Sequence, residues 1–148
     1  MVLDTNILIA SFFGSVHRGS VHRGSVHRGK GSAGLLRAWR EGKVVLCVSR
    51  AVLAEYRAVL GNLRFLGKRK EELLKALEEG EGVVRVRARR HLQKVPDPGD
   101  NRLLECALAA GARYLITSDR ALLALDGFRG LQVCTSGEFW RRWRKDAG

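Results

Sequence analysis

The chain has only two prolines and three cysteines in 148 residues, and it has no long run of apolar residues. No segment approaches the ~20 apolar residues of a membrane-spanning helix, so we expect no membrane-spanning segment. The chain opens on the strand-like MVLDTNILIA with no basic segment before it, so we expect no signal peptide. The cysteines, Cys47, Cys106 and Cys134, are odd in number and form no CxxC pair. They predict buried, reduced thiols in a cytoplasmic protein.

Acidic residues are also scarce. There are 15 Asp and Glu against 27 Lys and Arg, which gives a net charge of +12, and no acid occurs between Asp4 and Glu41. An excess of positive charge attracts polyanions, so nucleic acid is the first partner to consider. An acidic protein or an anionic membrane surface would satisfy the same charge.

Short apolar segments alternate with helical patterns along the chain. We predict strands at 2–9, 44–48, 83–88, 114–117 and 131–134, and helices at 33–40, 50–63, 68–79, 101–110, 120–125 and 137–144. This alternation predicts a three-layer α/β/α sandwich around a central, mainly parallel sheet. The length predicts one domain that spans residues 1–148.

The unit Gly-Ser-Val-His-Arg is repeated three times from residue 14 and holds three of the four histidines. A period of five fits neither a helix nor a strand, so we predict a flexible loop at about 14–32. Histidines five residues apart cannot share a helix face, which argues against a metal site. Two interpretations remain open: a mobile basic flap near a functional site, or a tolerated insertion with little function.

Four acids stand where folding alone does not explain them. Asp4 ends the apolar run that opens the first predicted strand, Asp119 ends the segment YLITSD, and Asp100 opens a predicted helix. Glu55 lies on a predicted helix whose residues three and four positions away are all apolar. Carboxylates gathered at one sheet edge repel one another unless a hard cation neutralises them, and oxygen-only ligation favours Mg²⁺ or Mn²⁺. Each acid also has a purely structural explanation, as a cap or as the partner of an arginine.

The order of these motifs resembles the PIN-domain family, most closely its small bacterial and archaeal toxins of VapC type. The motifs are DTN near the start, a Glu in the helix after the second strand, D-P-x-D-N before a helix, and YLITSD. The resemblance implies a Mg²⁺- or Mn²⁺-dependent ribonuclease with a catalytic, metal-binding quartet of Asp4, Glu55, Asp100 and Asp119. It implies supporting roles for Asn6, Ser118 and Asp97, with Asp97 farther from the metal than Asp100.

The implied chemistry is the hydrolysis of a phosphodiester by a metal-activated water, with one or two metal ions. The implied partners are single-stranded or structured RNA, a small antitoxin protein and a second copy of the chain. Two alternatives remain open: a PIN-fold protein that binds nucleic acid or a partner without cutting, and a housekeeping RNA-processing nuclease.

Basic residues are expected to draw RNA towards the acidic site. The predicted contacts are Arg18, Arg23, Arg28 and Lys30 in and after the repeat, and Arg85, Arg87 and Arg89 on one side of the strand at 83–88. The terminal segment FWRRWRK mixes aromatic and basic residues. We expect it to bury Phe139 and Trp143 and to expose its arginines.

Overall fold

The structure is a computed structural model that describes residues 1–16, 31–64, 67–89 and 91–147. The strands are β1 (Val2–Leu3), β2 (Leu46–Ser49), β3 (Val83–Val86), β4 (Tyr114–Ile116) and β5 (Gln132–Cys134). The helices are α1 (Thr5–Val16), α2 (Ala33–Arg40), α3 (Arg50–Gly61), α4 (Gly67–Glu79), α5 (Pro98–Ala110), α6 (Arg120–Leu123) and α7 (Ser136–Ala147). A short 3-10 turn lies at Phe128–Gly130.

The strands form a three-stranded parallel sheet in the order β1-β4-β5 and a two-stranded parallel sheet of β2 and β3. Parallel pairing joins β2 to β3, β1 to β4, and β4 to β5. Two hydrogen bonds of Met1 connect the two sheets: its carbonyl accepts from the Cys47 amide at 2.8 Å, and its amino group donates to the Val45 carbonyl at 2.7 Å. The predicted parallel sheet is therefore confirmed.

Helices cover both faces of the sheet. Every residue of β1, β2 and β4 is buried, which requires packing on both sides of the strands. One hydrophobic core extends from Val2 in β1 to Trp140 in α7, and all three cysteines are buried and free. The three-layer α/β/α sandwich is confirmed. Within the residues that the structure describes, no helix combines the length and the apolar composition needed to cross a membrane.

The first strand is much shorter than the predicted 2–9. It ends at Leu3, and α1 begins at Thr5, with the Leu8 amide donating to the Asp4 carbonyl at 3.0 Å. Ile7, Leu8 and Phe12 are buried, with the spacing of one helix face. The prediction was wrong because an unbroken apolar run fits a buried strand and a buried helix equally well.

The basic strand is also shorter than predicted. It ends at Val86, so Arg87 and Arg89 follow it, and both are exposed. Val84, on the side of the strand opposite Arg85, is 40% exposed. This edge strand pairs with β2 alone, so its outer positions are not covered on both sides.

The helix after the proline-rich loop begins at Pro98, not at Asn101. Proline fits the first turn of a helix because its missing N–H would have no partner there. The N-cap is Asp97, whose Oδ1 accepts from the amides of Gly99 and Asp100. The expected cap at Asp100 is thus wrong by three residues. At the other end of the chain, α7 buries Phe139 and half-buries Trp143, while Arg141 and Arg144 are exposed.

The predicted loop at 14–32 falls largely outside the described residues, because residues 17–30 are not described. The predicted RNA contacts Arg18, Arg23, Arg28 and Lys30 lie outside them too. On either side, helix α1 continues to Val16, so the loop does not begin at residue 14, and α2 begins at Ala33.

Replacing Tyr56 with phenylalanine should destabilise the fold. The fully buried Tyr56 hydroxyl donates to the Leu3 carbonyl and so ties α3 to β1. Tyr56→Phe should lower the free energy of unfolding by about 1–3 kcal/mol, because the bond is lost and the buried carbonyl loses a donor. Urea unfolding measures this change. The control is Tyr114→Phe, whose hydroxyl donates to the exposed Asp146; equal losses in the two variants would contradict the prediction.

Candidate active site

One cleft of about 250 Å³ is lined by all seven residues that the sequence selected as catalytic or supporting. They are Asp4, Asn6, Glu55, Asp97, Asp100, Ser118 and Asp119, joined by Thr5 and Val59. Five of these are carboxylates, and no lysine or arginine of the described part of the chain lines the cleft. We call this the acidic cleft. The structure brings the predicted residues together, and their catalytic role stays a prediction.

Asp4 is held at the carboxyl end of β1 by contacts with the chain after β4. Its amide donates to the Ile116 carbonyl at 2.9 Å, and its Oδ2 accepts from the Thr117 hydroxyl at 2.7 Å. The same Thr117 oxygen accepts from the Asp119 amide at 3.0 Å. Thr117 is fully buried. One threonine therefore fixes the spacing between two of the cleft's acids.

Asp119 both caps a helix and lines the cleft. Its Oδ1 accepts from the amides of Ala121 and Leu122 at the start of α6, at 2.8 and 3.2 Å. Asp97 does the same for α5 through its own Oδ1. Each cap uses one carboxylate oxygen, so capping leaves the other oxygen of each residue available to a ligand.

Glu55 is a half-buried residue on the second turn of α3. Two of its apolar neighbours, Ala51 and Ala58, are exposed, so the predicted apolar stripe is not a buried stripe. Nevertheless, Glu55 forms no ion pair within the described part of the chain, which leaves the proposed arginine partner without support. The acid reaches the cleft because Tyr56, the next residue, anchors α3 to Leu3.

Asn101 fixes the segment that carries Asp97 and Asp100. Its buried side-chain oxygen accepts from the amides of Lys94 and Val95 at 2.9 and 3.1 Å. Its side-chain nitrogen donates to the carbonyls of Val95 and Asp97 at 2.8 and 3.2 Å. Four hydrogen bonds from one buried amide hold the loop against the first turn of α5. Asn101 is a positioning residue.

Gly99 lies between two of the carboxylates. A Cβ at this position would be 3.1 Å from Asp97 Oδ1 and 3.2 and 3.4 Å from the two oxygens of Glu55. A side chain here would push the Glu55 carboxylate away, so the absence of one allows the two acids to approach each other. Gly99 is thus a part of the site.

Of the supporting residues, Asn6 and Ser118 line the cleft from exposed positions. Asn6 lies in the first turn of α1. Asp97 lines the same cleft as Asp100, from the N-cap of α5. Sequence reasoning missed Thr117, Asn101 and Gly99. A polar residue in the apolar run YLIT was the available signal for Thr117.

The clustered acids make ionisation costly. Burial raises the pKa of Asp4, and the charge of Asp119 adds to the rise, while hydrogen bonds from Thr117 and from the amides of Thr5 and Asn6 oppose it. Burial also raises the pKa of Glu55, with Asp4 and Asp97 contributing. Burial and the other four carboxylates raise the pKa of Asp100 to about 6. The cleft favours positive charge, whether as protons or as a cation.

The donor set fits a hard divalent cation. All five charged groups offer oxygen, which Mg²⁺ and Mn²⁺ prefer, and no cysteine or histidine lines the cleft within the described ranges. None of the seven ion pairs between described residues involves a cleft carboxylate. In residues 1–16, 31–64, 67–89 and 91–147, no three acidic, histidine or cysteine side chains already form a closed metal-ligating group. The oxygen donors of the cleft agree with a metal centre in their chemistry.

The predicted RNA contacts of the basic strand lie outside the acidic cleft. Arg85 and Arg87 line a separate groove, and Arg87 and Arg89 line a neighbouring one with Arg129. The arginines therefore surround the acids without pairing with them.

In a comparison with models of protein families, a model described as PIN domain matches residues 1–121. No curated protein matches the chain. The matched residues include all five carboxylates of the acidic cleft. The match ends before β5 and α7, so the assignment of all 148 residues to one domain remains a proposal.

The metal-free protein should respond to pH through Asp100. Its folded-state pKa of about 6 lies above its unfolded value, so its contribution to stability is present at low pH and is lost as pH rises from about 4 to about 6. Asp100→Asn in EDTA should therefore raise the melting temperature at pH 7 and weaken that pH dependence.

Asp126→Asn provides a control of opposite sign. Hydrogen bonding to Arg142 lowers the pKa of Asp126, so its contribution to stability is present at neutral pH and is lost as pH falls through the lowered pKa. This variant should melt lower than the parent protein at pH 7. Destabilisation by both variants at pH 7 would show that the cleft carboxylates are not in repulsive contact.

Gly99→Ala should weaken cation binding without weakening the fold. Alanine is a better helix residue than glycine by up to about 1 kcal/mol, so metal-free stability should hold or rise. The added methyl should displace Glu55 and reduce the rise in melting temperature that Mn²⁺ produces. Gly137→Ala is the matched control, because Gly137 is also the second residue of its helix and nothing lies within 4 Å of its Cβ position. An unchanged Mn²⁺ response in Gly99→Ala would contradict the assigned role.

Proposed function

The chain belongs to the PIN domain family, and on this basis we propose that it is a divalent-metal-dependent ribonuclease that cuts phosphodiester bonds within RNA at the acidic cleft. Members of the family are generally metal-dependent nucleases that bind nucleic acid. The proposal adds RNA as the substrate, endonucleolytic cleavage as the reaction and Mg²⁺ or Mn²⁺ as the cofactor.

One observation carries the proposal: five carboxylates share a cleft in which, among the described residues, there is no basic lining residue and none of the five has an ion-pair partner. A protein with 27 basic residues has many opportunities to pair its acids. Because unpaired, partly buried carboxylates cost stability, a purely structural role does not account for the cluster.

The proposed roles follow the geometry. Asp4, Glu55, Asp100 and Asp119 would hold the cation, and Asp97 would contribute the oxygen that its cap leaves free. Thr117 holds Asp4 and Asp119 at a fixed spacing. Asn6 and Ser118, exposed at the cleft, would bind and orient the substrate. A bound Mg²⁺ or Mn²⁺ would supply positive charge for the phosphodiester and activate a water for its hydrolysis.

The finer biological assignment rests on the sequence motifs. We place the chain with the toxins of toxin-antitoxin pairs, in the cytoplasm, with RNA, a small antitoxin and a second copy of the chain as partners. Arg85, Arg87 and Arg89, together with the basic residues of the repeat, would contact RNA. A short reading frame beside the gene, with a product that binds and inhibits this chain, would support the toxin over a housekeeping nuclease.

Asp4→Asn and Asp119→Asn should each reduce RNA cleavage by at least about 100-fold, because each removes a negative ligand while keeping the shape of the side chain. The purified protein is incubated with mixed RNA substrates with Mn²⁺, with Mg²⁺ or with EDTA, and the products are resolved on a gel. EDTA should abolish cleavage. The control is Glu81→Gln, which makes the same change of charge at an exposed residue outside the cleft.

Cleavage that survives both substitutions or EDTA would overturn the proposed site. Melting curves with Mn²⁺ test the non-catalytic alternative, because a cation that binds only the folded state raises stability by about 2.7 kcal/mol at 100 times its Kd. A Mn²⁺-dependent rise that Asp4→Asn removes, without cleavage of any RNA, would favour a PIN-fold protein that binds without cutting.

A further inference from the structure

A second cleft, of about 800 Å³, is lined mainly by basic residues, in contrast to the acidic cleft. It lies between the start of α3, the chain that follows β3, and α5. The described residues that line it include four arginines and one acid, with His91 beside them: Arg50, Arg85, Arg87, Arg102 and Glu105. We call it the basic groove.

The positive charge of this groove is largely uncompensated. Glu105 is buried, and its carboxylate is already used by Arg102 at 3.0 Å and by the Leu92 amide at 2.6 Å. Arg85 donates to the carbonyls of Leu77 and Gly80, which orients its guanidinium without neutralising it. The other arginines of the groove are therefore not neutralised by Glu105, because its carboxylate already binds Arg102 and the Leu92 amide.

Arg50 and Arg87 are exposed, and within the described residues neither forms an ion pair or a hydrogen bond. Arg50 is also the first residue of α3, where a cation opposes the helix dipole and costs roughly 0.3–1 kcal/mol. Helix stability does not explain an arginine at this position, whereas the binding of an anion there would explain it.

The basic groove and the acidic cleft share two walls. On α3, Ala51 and Ala54 line the groove, while Glu55, the next residue, lines the cleft. On α5, Asp100 lines the cleft, and Arg102, two residues later, lines the groove. A ligand that leaves the acidic cleft across these helices therefore meets the arginines.

From this arrangement we infer that the basic groove binds the phosphodiester backbone of a single-stranded nucleic acid on one side of the bond held in the acidic cleft. This inference deepens the proposed function and rests on it. Phosphates along one strand pair with Arg50, Arg85 and Arg87 in succession. The small apolar side chains of Ala51, Ala54, Val86 and Ala88 line the groove between the arginines and offer contact to sugars and base edges.

Arginine is suited to this ligand because its planar guanidinium donates two parallel hydrogen bonds to a phosphate. An acidic peptide would use the same charges. The observations favour a nucleic acid because the groove shares the walls α3 and α5 with a carboxylate-lined cleft, which repels a peptide of Asp and Glu and accepts a polyanion only where a cation screens it. A single strand is favoured over a duplex because its backbone can bend from one cleft into the other.

The test is the salt dependence of binding, measured by fluorescence anisotropy in EDTA with a labelled single-stranded RNA of about 12 nucleotides. Each phosphate contact on a single strand contributes about −0.7 to the slope of log K against log salt. The double variant Arg50→Gln with Arg87→Gln should reduce the magnitude of this slope by about 1.4. DNA of the same sequence and a poly-glutamate peptide of equal charge form the comparison arms.

The control is Arg141→Gln with Arg144→Gln on α7, which removes the same charge from exposed arginines that do not line either cleft. Its slope should change little. Equal changes in the two double variants would overturn the inference, because net charge would then explain binding. Tighter binding of poly-glutamate than of RNA would overturn it too. If the groove variant alone loses slope but the protein cuts no RNA, the basic groove is supported and the proposed nuclease is refuted. If the groove variant keeps the parent slope and the protein cuts RNA, the basic groove is refuted and the proposed nuclease is supported.

Discussion

The site depends on how Asp4 is fixed at the end of a two-residue strand. β1 pairs with β4 through Val2 and Leu3, and the hydrogen bonds of Asp4 continue that ladder by one residue to Ile116 and Thr117. Thr117 passes the constraint on to the Asp119 amide. Tyr56, through its hydroxyl on the Leu3 carbonyl, passes it on to α3 and hence to Glu55. Three acids from distant parts of the chain are thereby held at fixed positions relative to β1.

The other two acids are registered separately, by the buried amide of Asn101. Its four hydrogen bonds tie the loop before α5 to the first turn of that helix, so Asp97 and Asp100 move with α5. Because α5 packs on β1, β2, β3 and β4, its position follows from the sheet. Uncharged hydrogen-bonding groups therefore hold five mutually repelling carboxylates in place. An arginine would hold the carboxylates more tightly, but it would neutralise the negative charge that a bound cation needs.

The fold was predictable from the sequence to the extent that elements alternate and apolar segments are buried, which confirmed the parallel sheet and its three layers. The predicted ends of the strands and helices were wrong where the composition of a segment fits either kind of element. Residues 2–9 contain an apolar run that suits either element, and only the packing of Ile7, Leu8 and Phe12 decides for a helix. Pro98 was treated as a break, although the cap at Asp97 makes it the first residue of α5.

The acids of the site were predictable because a carboxylate at the end of an apolar strand is conspicuous. The residues that position them were not. Thr117 and Asn101 act through buried hydrogen bonds to partners that the fold alone brings near, and Gly99 acts through the side chain it does not have. Glu55 was selected partly for a wrong reason, since Ala51 and Ala58 are exposed. Its lack of an ion-pair partner within the described chain is the stronger indication.

The separation of charge between the two clefts explains how a strongly basic protein keeps an acidic site. At physiological salt, charges interact over about 8–10 Å, so arginines beyond direct contact still draw a polyanion towards the cleft. Arginines in direct contact would instead pair with the carboxylates and exclude a cation. Glu105 shows that arrangement within the basic groove. Its carboxylate is buried and forms an ion pair with Arg102, so it serves the structure and does not bind a cation. The acids of the cleft are kept out of such pairs, and burial together with neighbouring carboxylates raises the pKa of Asp4, Glu55 and Asp100.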